Sequence, residues 1–216
     1  MAALVESQLQ AAITAFERRD VTAAEKLIPA DRRIDEFDRD IELKVMALLA
    51  REVLPEHALR EVMTMMKLTG ELERVGDLAK NIAKRVVAIS ERGHSVSLVR
   101  GIDHLGDLAL AQLKEVLDAF GSRTVTRINM VRDRDDEIDA MYTSLFRELL
   151  TYMMEDPRNI TTCTHLLFCA KNIERIGDHA TNIAESVYYI VTGEHLAAYR
   201  PKEDKTHKIV VDTTDE

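Results

Sequence analysis

Glu73-Arg74-Val75-Gly76-Asp77-Leu78-Ala79-Lys80-Asn81-Ile82-Ala83 is answered by Glu174-Arg175-Ile176-Gly177-Asp178-His179-Ala180-Thr181-Asn182-Ile183-Ala184. Eight of the eleven positions are identical and Val75/Ile176 is conservative, which marks two copies of one structural unit. Each copy spaces Glu, Asp and Asn four apart. Residues i and i+4 share a helix face, so each copy carries a short polar ridge.

Working outward, the match continues at an offset of 104: Ala15-Phe16 with Ala119-Phe120, Val21-Thr22 with Val125-Thr126, and Asp31…Ile34-Asp35 with Asp135…Ile138-Asp139. Within the motif the offset is 101, so the loop before it is expected to be three residues longer in the first half. Met1 aligns with Leu105, so the first helix is expected to start partway along its repeat, through truncation or a late start codon.

Six long helices follow from apolar periodicity and helix punctuation. The first carries Leu4, Leu9, Ala12, Ile13 and Phe16 and runs to Arg18-Arg19-Asp20. The second opens on the capping-box pattern Thr22-Ala23-Ala24-Glu25, with Ile34, Phe37, Ile41 and Leu48 facing the core, and Pro29 is expected to kink it or to begin its regular part. The third runs from about Glu56 to Glu91-Arg92, stopped by Gly93. Ser95 and Ser97 are expected to cap a fourth that ends at Phe120-Gly121, a fifth spans about Val125 to Met154, and Asp156-Pro157 starts a sixth that reaches Thr192-Gly193. The expected fold is all-α: two tandem, pseudo-symmetric three-helix bundles, residues 1–93 and 94–200, and a polar tail, residues 201–216.

Composition agrees. Helix formers dominate, Trp is absent and aromatics are 5% of the chain. With 38 acidic against 29 basic residues the net charge is −9, which argues against nucleic acid and suits cations or basic partners. No apolar run approaches the ~18 residues of a membrane span, and Met1-Ala2-Ala3-Leu4-Val5-Glu6 lacks the features of a signal peptide. A soluble, cytoplasmic protein is expected. Cys163 and Cys169 match no zinc or redox spacing and read as core thiols.

The chemistry lies in the ridges. On the third helix Val62, Met65, Thr69, Leu72, Gly76, Ala79, Ala83 and Val86 form a core seam, with Glu73 on its edge and Asp77 and Asn81 drifting outward. Gly76 and Gly177 stand in their seams and suggest a close backbone approach there. On the second helix Asp31, Asp35, Asp38 and Glu42 share a flank. On the fifth, Asp135 and Asp139 repeat this, but Tyr142 and Phe146 replace the last two. Antiparallel packing would bring these acids opposite Glu73/Asp77 and Glu174/Asp178. Two unit charges ~5 Å apart repel by roughly 3 kcal/mol at an effective dielectric near 20, so something positive must offset them. A hard metal ion is one candidate. Arginine is the other: Arg74 can reach Asp77, Arg175 can reach Asp178, and Arg32 or Arg39 can reach Asp35.

Other signals are weak. Glu91-x-x-His94 resembles half of a di-iron ligand set but has no counterpart in the second unit. His104, His165 and His179 show no ligand spacing and read as surface or core residues. Met63, Met65, Met66, Met153 and Met154 read as core filler. There is no glycine-rich phosphate loop and no nucleophile with a base beside it.

The paired Glu-Arg-x-Gly-Asp-x-Ala-x-Asn-Ile-Ala motifs resemble the PhoU family over nearly the whole chain. The upstream Asp-x-x-Ile-Asp in each half, Met154-Glu155-Asp156-Pro157 and Tyr188-Tyr189-Ile190-Val191-Thr192-Gly193 share the resemblance. It implies a cytoplasmic bacterial protein, often a homodimer, that restrains phosphate uptake and the phosphate-starvation response. Its partners would be the ATPase subunit of a phosphate ABC transporter and a sensor histidine kinase, with the membrane reached only through them. It also implies metal ions (Mg, Mn, Zn or Fe). Asp31, Asp35, Glu73 and Asp77 would hold one site, with Asp38 beside them, and Asp135, Asp139, Glu174 and Asp178 the other. Tyr142 at Asp38's counterpart would leave the second with weaker binding or fewer ions. A metal-dependent hydrolase or oxidase, and a metal-free scaffold, stay open as alternatives to a non-enzymatic adaptor.

Overall fold

The computed structural model describes residues 1–89, 96–196 and 206. The expected Gly93 stop, the Ser95 cap, Glu91-x-x-His94, both interdomain boundaries and the polar tail apart from Thr206 lie outside the described residues. Two tandem three-helix bundles are present, and no strand occurs among the described residues. In chain order the helices are α1 (Ala2–Arg18), α2 (Val21–Ala30), α3 (Arg32–Arg51), α4 (Glu56–Ile89), α5 (Val96–Ser122), α6 (Ile128–Glu155) and α7 (Ile160–Thr192). The second helix of the plan is thus split into α2 and α3 at Asp31. Pro29 lies inside α2, two residues before the break, where its ring crowds the preceding turn and it has no N–H to give.

Both units end their first helix alike. Arg19 (φ 54°) and Arg123 (φ 52°) take the left-handed conformation. The next residue's N–H then folds back, Asp20 onto the Ala15 carbonyl and Thr124 onto that of Ala119. Asp20, rather than Thr22, caps α2: its side chain accepts from the Ala23 N–H at 2.9 Å. Helix α6 starts at Ile128 instead of Val125, where Thr124 and Thr126 bond locally and compete with helix formation. Four residues, 52–55, join α3 to α4, whereas Asp156 alone separates α6 from the 3₁₀ turn Pro157–Asn159 that opens the last helix. The three-residue difference between the offsets is therefore this loop. Asp156 caps that turn by accepting from the Arg158 N–H, and Gly193 (φ 77°) closes α7.

The most extensive helix–helix contact is α4 with α7, so the two bundles share one apolar core. That explains a difference from the sequence reading. Thr69, Leu72, Gly76, Ala79, Ala83 and Val86 are buried as expected, but Val62 and Met65 are only half-buried. A second row, Leu68, Val75, Leu78, Ile82 and Ile89, is buried as well, because α4 is covered by α1, α2, α3 and α7 together. Helix α3 packs chiefly on α4. Ile34 and Val45 are buried, Ile41 and Leu48 half-buried, and Phe37 exposed. Met63 and Met154 are also exposed rather than core filler, while Cys163 and Cys169 are buried free thiols.

Candidate functional site

Each unit builds its polar site where the first, middle and last helices meet beside the seam glycine. A Cβ on Gly76 would lie 2.8 Å from Ile34 Cδ1 and 3.2 Å from Asp31 Oδ1. One on Gly177 would lie 3.2 Å from Gln112 Oε1 and 3.3 Å from both Asp135 Oδ1 and Ile138 Cδ1. The approach at these glycines is therefore one of side chains rather than of backbone, from the acidic middle helix in both units and from Gln112 as well in the second.

In the first unit Asp31 is 2% exposed. Gln8 Nε2 donates to Asp31 Oδ1 at 2.9 Å and to the Gly76 carbonyl at 3.3 Å. Lys80 Nζ donates to Asp31 Oδ2 and to Asp77 Oδ1, both at 2.5 Å. Burial alone would lower the Lys80 pKa, but these two carboxylates outweigh it and hold it above the ordinary lysine value. Asp35, Asp38, Glu73 and Asp77 are half-buried beside them. Burial raises the Glu73 pKa, and repulsion from Asp77, Asp38 and Asp35 adds to it against the pull of Arg74. Arg74 stands 3.6 Å from Glu73 and 4.0 Å from Asp77, but it is largely exposed and screened by solvent. Arg32 pairs with Glu36 at 3.0 Å. The close counter-charge in this unit is therefore a lysine.

The second unit is drier. Asp135, Asp139 and Glu174 are all buried, and Asp178 is half-buried. Thr181 stands where the first unit has Lys80, and Gln112 Nε2 donates to it at 3.2 Å and to the Val131 carbonyl at 2.9 Å. Lys171 donates to Glu174 Oε1 at 2.8 Å, while Glu174 Oε2 is enclosed without a hydrogen-bond partner. Burial pushes the Glu174 pKa up to about 7, against the pull of Lys171 and with added repulsion from Asp178 and Asp139. The Lys171 ammonium also lies 4.9 Å from the Tyr142 ring centroid, and Tyr142 meets Phe146 edge-to-face at 6.3 Å.

Lys80 thus joins Asp31 to Asp77 across the helices, and Glu73 and Glu174 each feel repulsion from acids of the middle helix. As the side chains stand, no three His, Cys, Asp or Glu among the described residues are close enough to hold a metal ion. Three features escaped sequence reading. Gln8 and Gln112 were legible as identical residues at the offset of 104. Lys80 and Lys171 stand three residues from Asp77 and Glu174, a spacing considered only for arginine. The third is a bond between the halves: His179 Nδ1 lies 2.6 Å from Glu71 Oε2, which also accepts from Asn182 at 3.1 Å. Burial would raise the Glu71 pKa, but these partners outweigh it and hold it below the usual carboxylate value.

A duplicated three-helix hairpin, with Gln, Asp, Glu and Gly at matched positions of both copies, defines a tandem-repeat helical-bundle protein. The PhoU domain family matches residues 1–86 and 102–187, and the chain belongs to the PhoU family. It is 53% identical to the phosphate-specific transport system accessory protein PhoU homolog of Rhizobium meliloti, over 95% of this chain and 87% of that one. The homolog of the same name from Caulobacter vibrioides is 46% identical, over 94% and 89% of the two chains. Among solved structures, PhoU from Pseudomonas aeruginosa superposes with a TM-score of 0.87 at 35% identity, covering 90% of this chain and 93% of that one. The phosphate transport system regulatory protein PhoU from Streptococcus pneumoniae gives 0.82 at 30%, covering 90% and 91%. No helix among the described residues is long and apolar enough to cross a membrane.

Proposed function

We propose that this protein is a non-catalytic regulator of phosphate transport that restrains the phosphate-starvation response. It acts as an adaptor between the ATPase subunit of a phosphate ABC transporter and a sensor histidine kinase, in the cytoplasm and as a homodimer. Family membership carries the phosphate-transport part. The single observation that carries the adaptor part is the first unit's row of half-buried acids, Asp35, Asp38, Glu73 and Asp77, faced by Lys80, which is shared with Asp31, and by the largely exposed Arg74. Basic partner surfaces complement such a row.

Metal binding belongs to the same proposal. The donors are all oxygen and suit hard cations such as Mg or Mn, with Fe or Zn as further candidates. The crowding around Glu73 and the unpartnered Glu174 Oε2 are the observations that fit a cation. Asp35, Asp38, Glu73 and Asp77 would hold it in the first unit, and Asp135, Asp139, Glu174 and Asp178 in the second. Asp31 would join only if Lys80 let it go. A bound ion would neutralise the carboxylates and stiffen the face. The test is capture of the transporter ATPase or the sensor kinase by wild type and by Glu73→Ala/Asp77→Ala. Loss of capture is expected, and unchanged capture would remove the acidic face from the mechanism.

A further inference from the structure

The two units differ at a spot a turn along α3 from Asp35. Asp38, Ile41, Glu42, Met66, Thr69 and Gly70 line a groove of about 250 Å³. The residues matching Asp38, Glu42 and Gly70 in the second unit are Tyr142, Phe146 and Lys171. There the same space is filled from within: Tyr142 is 5% exposed, Phe146 packs on its edge, and Lys171 puts its ammonium over Tyr142 and onto Glu174. In the first unit nothing lies within 4 Å of the position a Gly70 Cβ would take. Glu73, the match of Glu174, has no lysine one turn before it, and two acids replace the two rings.

We infer that the Gly70 groove, when no metal ion sits on Asp38 and Glu73, receives a lysine or arginine side chain from a helix of a partner protein, seated as Lys171 is seated in the second unit. The second unit supplies the template for the occupant: an ammonium bonded to the glutamate and flanked by apolar groups. Asp38, Glu42 and Glu73 complement its charge, while Ile41 and Met66 cover its aliphatic stem. An amphipathic helix laid beside α3 and α4 would present such a side chain from one face. This rests on the adaptor reading, since it names what the first unit's face recognises.

Gly70→Lys builds the second unit's lysine into the first. It has open space around it and favours the helix, so the fold should hold. Affinity of chelator-treated protein for the transporter ATPase or sensor kinase is expected to fall at least about tenfold. Ala111→Lys, which adds the same charge on the exposed face of α5, should change it less than about twofold. Equal effects of the two variants, or none from Gly70→Lys, would overturn the inference. A second measurement does not depend on those partners. A Leu/Ala-based helical peptide of about 15 residues with one central lysine should shift the Thr69 and Gly70 amide resonances of chelator-treated protein saturably. Its norleucine counterpart should not. Silent resonances, or equal shifts from both peptides, would also overturn the groove's assignment. If neither partner binds wild type while the lysine peptide does, the adaptor reading falls and the groove's preference for a cationic side chain stands.

Discussion

The Lys80 ammonium is bonded at 2.5 Å to Asp31, a carboxylate 49 residues earlier that is almost wholly buried. Breaking a buried pair from one side strands the other charge. Lys80→Met should therefore destabilise the protein by about 3 kcal/mol in urea unfolding. Asp31→Asn in the same background should recover part of the loss, because the stranded charge goes with it. Additive losses would show that the pair is not coupled.

Glu174 gives stability a pH dependence of known sign. Its carboxyl ionises near 4.5 when unfolded and near about 7 in the metal-free fold. Between those values the folded chain holds a proton that the unfolded chain has lost, so stability falls as pH rises through that window. Glu174→Gln should match wild type below the window and exceed it above, by on the order of 3 kcal/mol. Urea titrations across the window read this directly.

Glu71 works the other way. His179 and Asn182 hold its pKa down, so its contribution is present above the ordinary carboxylate value and lost as pH falls through the lowered one. Glu71→Gln should flatten acid-side stability and raise hydrogen exchange where α4 meets α7.

The glycines separate two roles. Gly70→Ala meets no atom and should gain about 1 kcal/mol from helix propensity, whereas Gly76→Ala should lose that gain and more by pushing Ile34 and Asp31 aside. Thermal melts of the two variants, with opposite signs expected, check this.

Much of the fold was legible because the repeat is written in the sequence. Two offsets gave two bundles and even placed the three extra residues in the α3–α4 loop. What periodicity could not give was the second buried row on α4, since a single helix pattern does not say how many neighbours cover it. Phe37 was misjudged for the converse reason: α3 has essentially one neighbour. In the site, acid spacing on one helix was readable, but the Lys80–Asp31 and Glu71–His179 bonds cross between helices and depend on packing that spacing does not encode. Phe37 and Met63 also show that apolar character alone does not assign a residue to the core.

The central claim is that the acidic faces hold metal ions, the first unit's above all, since no lysine sits on its ridge glutamate. Elemental analysis of protein purified without chelator, beside Asp35→Asn/Glu73→Gln and Asp139→Asn/Glu174→Gln, tests it most directly. The account predicts bound metal in wild type and its loss chiefly in the first-unit variant, where a lysine does not already sit on the ridge glutamate. Metal-free wild type, or a content unaltered by the first-unit substitutions, would contradict it.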